Sequence, residues 1–574
     1  MDIKKENEKH KVYNLFKLPI EYNDKTRTIF DNLKTDLELT KNIDPTKKSI
    51  YQHILNPSTN IGEQCLDKWS ENYTTDTSFL HDTQKLYTNI YDLSINKENI
   101  DKMTSIWGKI KDDKNFIEKY NYMSWDKLSW LNQSKFYLTL TSFYHITSPV
   151  WNLLSPLFAI VFPFILLKLM RVPLNMEMYK KVLEKQFRNH IIGQALTNFT
   201  TVPMYKKIYF LFMVWIYFYN IYQNIISCYR FYGNIYLITD NINCIKEYSE
   251  LTLKNIDLIL FKIKNLSSYK KFSIELDMYR DKLYKFHKTL NLLNLTGSFK
   301  QRLFDMGSIM KEYYTIYNNS ELNNILNYSL GFNGYIDNLC GLRENIVNKT
   351  VNACKYGYEV NFKDMYHPSI EGKIIKNNVK LSKNKMITGP NAAGKTTLLK
   401  STIINILFSQ QMGFGYYKSA TVYPYDYIHC YINIPDTSAR DSLFQAEARR
   451  CKNILTSIEE NRQARHFCIF DELFSGTNPY EAISSGYGYL TYISKLNNIR
   501  FMLTTHFVQL CNLLDKNKNI VNENMETTII DNTPKYSYKV INGISKIKGA
   551  ICVLKDLKYP KSILRKSEKI LKKL

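Results

Sequence analysis

The C-terminal half of the chain contains short apolar runs that end abruptly in polar residues. One run precedes the glycine-rich segment that starts at Gly389, a second fills Phe467–Phe470, and a third begins the stretch FMLTTHF that ends near His506. A short, continuous apolar run is typical of a buried strand, whereas LLKSTIINILFSQQ, after Lys395, has helical character. This alternation predicts an α/β domain in which functional residues follow the strand ends.

The N-terminal half has a helical pattern instead. Between Asn14 and His145, polar and aromatic residues recur with helical periodicity in places, and Pro45 and Pro57 punctuate the stretch. From Ile245 to Asn348, apolar residues recur at spacings of three and four with lysines between them, which indicates helices with one solvated face. We therefore predict a predominantly helical region before the α/β domain.

Two apolar segments without charged residues interrupt this pattern, at Pro149–Leu167 and Ile208–Tyr229. Each approaches the ~20 residues that a helix needs to cross ~30 Å of hydrocarbon, so we expect a membrane-associated pair. A spanning hairpin, a shallow or re-entrant pair and two buried core helices remain open. The connecting segment is basic, which opposes the positive-inside tendency of a spanning hairpin and favours the shallow pair. Its charged residues are Lys168, Arg171, Lys180, Lys181, Lys185, Arg188, Lys206 and Lys207 against Glu177 and Glu184.

The glycine-rich segment has the spacing G-x-x-x-x-G-K-[ST] between the predicted strand and helix. Glycines let consecutive backbone N–H groups turn towards a phosphate chain, while Lys395 can reach the β- and γ-phosphates and the Thr396 hydroxyl can bind Mg²⁺. The positive N-terminal end of the helix acts on the same anion. We predict a nucleoside triphosphate site made of Gly389, Pro390, Asn391, Ala392, Ala393, Gly394, Lys395, Thr396 and Thr397.

The other two apolar runs deliver further polar side chains. Phe467–Phe470 ends in Asp471 and Glu472. We expect Asp471 to hold Mg²⁺, directly or through water, and Glu472 to polarise the attacking water as a general base. His506, at the end of the third run, could sense the γ-phosphate or orient that water.

ITGPNAAGKTT, DELFSGT and TTH occur in this order, and together they resemble the ATPase domain of the MutS family. These proteins are ABC-type P-loop ATPases best known for DNA mismatch repair. The resemblance covers roughly Tyr366 to Leu574, and Tyr366-His367-Pro368 is similar to the family's Arg-His-Pro lead-in. It implies a C-terminal α/β P-loop (ABC-type) ATPase domain after a mainly helical core and lever region.

The resemblance also implies roles for individual residues. Asn391 matches the P-loop asparagine, His506 matches the switch histidine, and Ser442 matches a serine that contacts the γ-phosphate across a dimer. The implied site is shared, because Ser442 of one subunit completes the Lys395–Asp471–Glu472 site of the other. ATP and Mg²⁺ are the implied cofactors, and a homodimer or a MutS-like heterodimer is the implied assembly.

The sequence also departs from the mismatch-repair pattern. Ala392-Ala393 stand where those members carry a larger residue and a glycine. Asn-Pro-Tyr-Glu-Ala follows Gly476-Thr477 in place of Ser-Thr-Tyr-Asp, which looks more like the divergent, membrane-containing relatives. No Phe-x-Glu reading element is found, so we expect a member that lacks the N-terminal mismatch-recognition domain.

Composition adds three expectations. Lys and Arg number 77 against 53 Asp and Glu, and the resulting net charge of +24 favours anionic partners such as nucleic acid or phospholipid, although an AT-rich genome also favours lysine. The ten cysteines occur singly, without a C-x-x-C pair, which suits a reducing compartment and argues against structural zinc or disulfides. The charged start, MDIKKENEKHK, predicts no signal peptide.

We therefore divide the chain into four predicted segments. They are a helical, core-like region 1–147, the apolar pair with its basic loop 148–230, a lever-like region 231–352 and a MutS-type ATPase domain 353–574. Glycines at 331, 334 and 341 mark the last boundary, near Asn352.

Two functions remain open. In the first, the protein is a mismatch-repair-type ATPase whose paired domains clamp double-stranded DNA. In the second, it is a membrane-anchored ATPase switch that acts on a membrane or protein partner without mismatch recognition. In both, we expect a membrane-associated protein whose ATPase domain faces the cytoplasm.

Overall fold

The computed structural model describes residues 15–170, 175–189, 203–295, 299–432, 434, 442–530, 533–545, 554 and 557–571. The α-helices are α1 (Asp31–Asp36), α2 (Ile50–Leu55), α3 (Asn60–Trp69), α4 (Thr77–Thr88), α5 (Lys97–Asp112), α6 (Phe116–Lys119), α7 (Lys135–Leu169), α8 (Met176–Asn189), α9 (Met204–Ile263), α10 (Lys270–Asn291), α11 (Phe299–Asn318), α12 (Ser320–Val347), α13 (Lys395–Gln411), α14 (Leu443–Glu460), α15 (Pro479–Ser494), α16 (Val508–Leu514) and α17 (Lys561–Leu571). The strands are β1 (Thr26–Thr28), β2 (Asn72–Thr74), β3 (Asn352–Tyr356), β4 (Asn361–Met365), β5 (Asn377–Lys380), β6 (Asn384–Thr388), β7 (Phe414–Gly415), β8 (Ser419–Val422), β9 (Tyr427–Tyr431), β10 (His466–Asp471), β11 (Ile499–Thr504), β12 (Ile520–Ile530) and β13 (Thr533–Asn542).

The main sheet has six strands in the order β13-β12-β6-β11-β10-β9. All neighbours pair in parallel except β12 and β13, which are antiparallel. All of β6 and the first five residues of β10 are buried, and strands buried on both faces read as continuous apolar runs, as predicted. Asp471 pairs with Thr504 and Thr504 pairs with Ile387. The three apolar runs therefore end side by side.

A second sheet of five strands has the order β5-β4-β8-β3-β7. It is mixed, because β3 and β8 pair in parallel whereas the other neighbours are antiparallel. Its edge strand β5 carries Asn377, and the turn after β4 carries Tyr366 and His367. These residues border the nucleotide site described below.

The chain forms two compact units, each built from separate parts of the sequence. The first comprises Met1–Lys97, Thr252–Asp281 and Leu326–Leu574, and the second comprises Glu98–Leu251 and Lys282–Ile325. The first unit therefore combines both larger sheets with the start of the chain. The predicted helical character of residues 245–348 is confirmed, since α9 to α12 fill most of it.

Within the first unit, N-terminal residues surround the end of the P-loop helix α13. The side-chain amide of Gln411 donates to the carbonyls of Trp69 and Asn72, at 2.6 and 2.7 Å, and Tyr51 donates to its oxygen at 2.9 Å. Gln410 donates to the carbonyl of Thr74 at 3.2 Å. These buried amides hydrogen-bond to backbone carbonyls of the N-terminal segment, which holds the two parts of the sequence together.

The three glycines that suggested a boundary lie inside α12 and not in a linker. A Cβ atom on Gly341 would lie 1.9 Å from the carbonyl oxygen of Leu55, so the missing side chain allows close packing of α12 on the N-terminal segment. On the same helix, buried Asp337 accepts hydrogen bonds from the backbone and hydroxyl groups of Ser58 and Thr59 at 2.7–3.0 Å. Glycine here allows close contact of the helix with its neighbours, and the domain boundary near Asn352 stays a prediction.

In the second unit, the two apolar segments form parts of the longer helices α7 and α9, which pack on each other. The Tyr217 hydroxyl donates to the carbonyls of Asn152 and Leu153 at 3.2 Å, and the rings of His145 and Phe231 stack at 5.0 Å. Large apolar side chains, including Trp151 and Trp215, are exposed along this pair.

The expectation of a membrane-associated location, with the ATPase domain facing the cytoplasm, is contradicted. Among the residues that the structure describes, no helix is both long enough and apolar enough to cross a membrane. The prediction counted charges, but Ile208–Tyr229 carries tyrosine, asparagine and glutamine along its length, and these residues lower the hydropathy without adding charge. In Pro149–Leu167, the side chains of Pro156, Leu157, Ala159, Ile160 and Pro163 lie outside the described part. Of the basic connecting segment, Arg171 and the side chain of Lys206 lie outside the described part.

Candidate nucleotide-binding site

The glycine-rich loop joins β6 to α13 and follows an unusual backbone path. Gly389 and Gly394 have φ angles of 155° and 92°, and Ala392 also has a positive φ, of 63°. At Gly394, which caps α13, the left-handed conformation costs least for glycine. A Cβ on Gly389 would lie 3.2 Å from Cβ of Met525. The loop therefore forms the close-fitting strand–loop–helix turn that the sequence predicted.

Lys395, the first residue of α13, is buried, with 6% of its surface exposed. Its ammonium group donates to the carbonyl oxygens of Gly389 and Pro390 at 3.0 and 3.2 Å. Burial lowers the pKa of Lys395, and the carboxylates of Glu472 and Asp471 partly offset that change. The loop thus holds a desolvated cation against its own backbone, at the helix N-terminus where an anion binds best.

Asp471 and Thr396 meet at the end of β10. The Thr396 hydroxyl donates to Oδ2 of Asp471 at 2.8 Å, and the Thr504 hydroxyl of the neighbouring strand donates to Oδ1. This pair of hard oxygen ligands fits Mg²⁺, which proteins typically hold through one or two side chains together with substrate phosphates. Thr396 and Asp471 are therefore the residues that would hold the ion.

Glu472 follows Asp471 directly, and its strained backbone sets the direction of its side chain. Its φ is 55°, a left-handed conformation, and its N–H donates to the carbonyl of Thr504 at 3.1 Å. Its Oε1 lies 2.8 Å from Nε2 of His506, and this hydrogen bond lowers the pKa of Glu472 against the opposing effect of its partial burial. A strained residue at a strand end is a common feature of active sites.

His506 joins this carboxylate to Lys395. Its Nε2 is 2.8 Å from Glu472 and 3.2 Å from Nζ of Lys395. Lysine can only donate a hydrogen bond, so one imidazole nitrogen serves either the lysine or the carboxylate, depending on its protonation. The structure therefore brings together five of the residues predicted from the three strand-end motifs, namely Lys395, Thr396, Asp471, Glu472 and His506.

A pocket of about 500 Å³ opens in front of the loop. Residues 391–397 line it, as do Glu472 and residues to which the sequence assigned no role in the site. Among these, Tyr366 donates to the carbonyl of Thr350 at 2.6 Å. Burial lowers the pKa of His367 to about 4, so this histidine is neutral at physiological pH. The described wall beside the P-loop thus carries one charged side chain, that of Lys373.

Tyr538 forms the most distinctive part of that wall. The register of β12 and β13 shifts between Met525 and Thr527, and Tyr538 lies in this bulge with a φ of 57°. Asn377 donates to the carbonyl of Tyr538 and accepts from the N–H of Val540, both at 2.9 Å. The ring is 3.2 Å from where a Cβ on Gly394 would lie. In the sequence, only the clustered tyrosines of YSYKV pointed to a role for Tyr538.

Ser442 is the one catalytic candidate that does not join this group. It is exposed, and it caps α14 through a reciprocal pair of bonds with Gln445 at 3.0 and 3.4 Å. It is not among the residues that line the pocket. Such a position is compatible with a contact to another subunit, so its role in trans stays a prediction. Residues 435–441, which precede it, lie outside the described part of the chain.

Comparison with known proteins assigns the region around this site. Residues 385–574 match the family model of MutS domain V. The DNA mismatch repair protein MutS of Persephonella marina is 29% identical over 247 residues, 42% of this chain and 28% of the relative. Those of Aquifex pyrophilus and Parabacteroides distasonis are 31% and 32% identical over 38% of this chain, and 26% of each relative is covered. The chain thus spans about a quarter of the length of these curated relatives. Both findings support membership of the chain in the MutS family, through its C-terminal domain.

Proposed function

We propose that this protein binds ATP and hydrolyses it at a site that a second subunit completes. The observation that carries the proposal is the convergence of the P-loop lysine, the Thr396–Asp471 pair and the Glu472–His506 pair around one pocket. A buried cation beside two carboxylates and a hydroxyl is the set of groups that phosphoryl transfer to water requires.

In this mechanism, the backbone of the loop and the ammonium group of Lys395 bind the phosphates. Mg²⁺, held at Thr396 and Asp471, would neutralise charge on the β- and γ-phosphates. Glu472 accepts a proton from the attacking water, and His506 orients that carboxylate. Because the bond from His506 lowers the pKa of Glu472, the carboxylate is ionised at neutral pH and can act as a base.

The partner is a second copy of this chain or a related subunit, which supplies Ser442. We infer a DNA-linked role from two facts. The matched relatives are named DNA mismatch repair proteins, and the net charge of +24 favours an anionic partner. The second function considered from the sequence, a membrane-anchored switch, was favoured by two apolar spans, and no described helix is long and apolar enough to cross a membrane.

The test is the steady-state rate of phosphate release by the purified protein with ATP and Mg²⁺. We expect hydrolysis that EDTA abolishes, and a several-fold stimulation by homoduplex DNA because the ATPase and the DNA partner are coupled. A further gain with a mismatched duplex would support a repair-type role. Phosphate release no greater than in the EDTA control would contradict the ATPase proposal, and a rate unchanged by either duplex would contradict the DNA part.

A second prediction concerns Tyr538 and the base of the nucleotide. Tyr538→Ala is expected to raise KM for ATP about tenfold with little change in kcat, since stacking of an aromatic ring on a base contributes roughly 1–3 kcal/mol. Tyr538→Phe, which keeps the ring, serves as the matched control. Inhibition by inorganic triphosphate, which has no base, should be equal in all three proteins. Weaker triphosphate inhibition of the alanine variant would mean that Tyr538 acts on the phosphates.

A further inference from the structure

Glu447 is a buried carboxylate in the second turn of α14 that no step described so far uses. Only 2% of its surface is exposed. Its Oε1 accepts from the N–H and the hydroxyl of Ser475, at 3.1 and 3.0 Å, and its Oε2 accepts from the N–H of Gly476 at 3.1 Å. Both oxygens are thus bound to a single short loop. Burial of a carboxylate is costly unless its oxygens are hydrogen-bonded in this way.

That loop begins at the catalytic carboxylates. Asp471 ends β10 and Glu472 follows it, and Ser475 and Gly476 come three and four residues after Glu472. The backbone between them is constrained, because both Glu472 and Phe474 have positive φ angles, of 55° and 58°. A shift of the loop at Ser475 would therefore change the direction of the Glu472 side chain.

The same loop also packs on the first turn of α14. A Cβ on Gly476 would lie 2.7 Å from Cγ of Leu443 and 2.9 Å from N of Phe444, so no side chain fits there. The rings of Phe444 and Phe474 are 5.7 Å apart. Two independent contacts, the hydrogen bonds to Glu447 and the packing of Gly476, thus hold the catalytic loop against one helix.

The helix they share is the one that Ser442 caps. Ser442 lies directly before Leu443, and its capping box with Gln445 fixes it to the first turn. Helix α14 is continuous from Leu443 to Glu460, so Ser442 and Glu447 move together as parts of one rigid element. The Ser442 end of α14 is exposed, and the next turn holds the loop that carries the general base.

We propose that Glu447 is a positioning residue that couples Ser442 to the catalytic base of its own subunit. When Ser442 contacts the nucleotide of a partner subunit, α14 is fixed, and Glu447 transmits that position to residues 473–476 and so to Glu472. Each subunit then completes its partner's site and aligns its own base by the same movement. This inference rests on the composite ATPase site proposed above.

The first test replaces Glu447 by glutamine, which keeps the shape but presents an amide N–H to one of the loop donors. We expect kcat of ATP hydrolysis to fall about 10²-fold with KM changed less than twofold, because a misplacement of the base of about 1 Å has a cost of that order. Glu460→Gln, an exposed carboxylate at the end of the same helix, is the matched control and should keep wild-type values. Wild-type kcat in Glu447→Gln would overturn the proposal.

A second variant separates positioning from folding. Gly476→Ala should lower kcat in the same way, because its Cβ would press on Leu443 and the backbone of Phe444. Gly488→Ala in α15 is its control, since nothing lies within 4 Å of a Cβ there. We expect both Gly476→Ala and Glu447→Gln to bind ATP and to unfold cooperatively. A loss of kcat that only follows the fraction of unfolded protein would overturn a positioning role.

The coupling itself is tested by a double-mutant cycle between Ser442→Ala and Glu447→Gln. If Glu447 transmits the position of Ser442, the second substitution adds little to the first, and the combined loss of kcat is smaller than the product of the two. Losses that multiply would overturn the coupling. The ATPase proposal fails if the wild type releases no phosphate or if Glu472→Gln turns over at the wild-type rate. These outcomes differ from a wild-type kcat of Glu447→Gln, which contradicts only the positioning role.

Discussion

Glu472→Gln is expected to bind ATP normally and to hydrolyse it about 10²–10⁴-fold more slowly than the wild type, because the substitution removes the general base. Glutamine keeps the size of the side chain and can still accept the bond from His506 that the carboxylate accepts at 2.8 Å. The bond from His506 lowers the pKa of Glu472, so the substitution removes an ionised group at neutral pH. Single-turnover phosphate release measures the loss, and equilibrium titration with a fluorescent ATP analogue measures binding.

The matched control is Glu481→Gln, in the first turn of α15. Glu481 is exposed and accepts from the Thr477 hydroxyl at 2.6 Å, so it is a carboxylate of the same segment outside the pocket. We expect that variant to turn over at the wild-type rate. Turnover of Glu472→Gln at a similar rate would show that another group removes the proton, and the assignment of Glu472 would then be wrong.

The sequence was most informative where local and tertiary signals coincide. Apolar runs such as Phe467–Phe470 predicted buried parallel strands, and β10 and its neighbours confirm them. Because parallel strands of one sheet end at a common edge, the polar residues after each run could be expected to meet. Thr396 and Asp471 do meet, at 2.8 Å, as do Glu472 and His506.

Other parts of the site depend on pairings between distant segments that no local pattern records. Tyr538 reaches the pocket through a bulge between β12 and β13, which Asn377 of the second sheet clamps. Glu447 reaches the catalytic loop from the second turn of an amphipathic helix, where the sequence pattern shows only one more charged residue. Gly341 suggested a domain boundary, whereas in the structure it allows the close approach of α12 to Leu55. In each case the partner is remote in sequence.

The apolar segments show the limit of a pattern based on charge alone. Residues 149–167 and 208–229 hold no Asp, Glu, Lys or Arg, yet they belong to helices that pair through tyrosine hydroxyl bonds to backbone carbonyls. Tyrosine, asparagine and serine add no charge, but they lower hydropathy and supply hydrogen bonds. For residues 208–229, a window scored on hydropathy would have given a different prediction from one scored on charge.

Ser442→Arg is expected to abolish steady-state hydrolysis while leaving ATP binding to the isolated subunit intact. In its own subunit, the Ser442 hydroxyl accepts from the N–H of Gln445 at 3.4 Å, and Ser442 is not among the residues that line the pocket. An arginine there would add bulk and charge to an exposed surface that has to close on a partner's nucleotide. Ser442→Thr, which keeps both the hydroxyl and the helix cap, is the control and should remain active. Reduced ATP binding by Ser442→Arg would place the residue in its own subunit's site.

Mixing two inactive variants distinguishes a site shared between subunits from one contained in a single chain. Lys395→Ala lacks the phosphate-binding cation but retains Ser442, whereas Ser442→Arg has the reverse defect. In a mixed dimer, the intact pocket of the Ser442→Arg subunit faces the intact serine of the Lys395→Ala subunit, and the other site carries both lesions. In an equal mixture half of the dimers are mixed and one of the two sites in each is complete, so a shared site without the Glu447 coupling would recover up to about a quarter of the wild-type rate. The coupling leaves the base of the Ser442→Arg subunit unaligned, so we expect a recovery about 10²-fold below that level but above either variant alone. Recovery of the full quarter would overturn the coupling and keep the shared site. If the mixture stays as inactive as its components while sedimentation shows that mixed dimers form, Ser442 does not act across the interface.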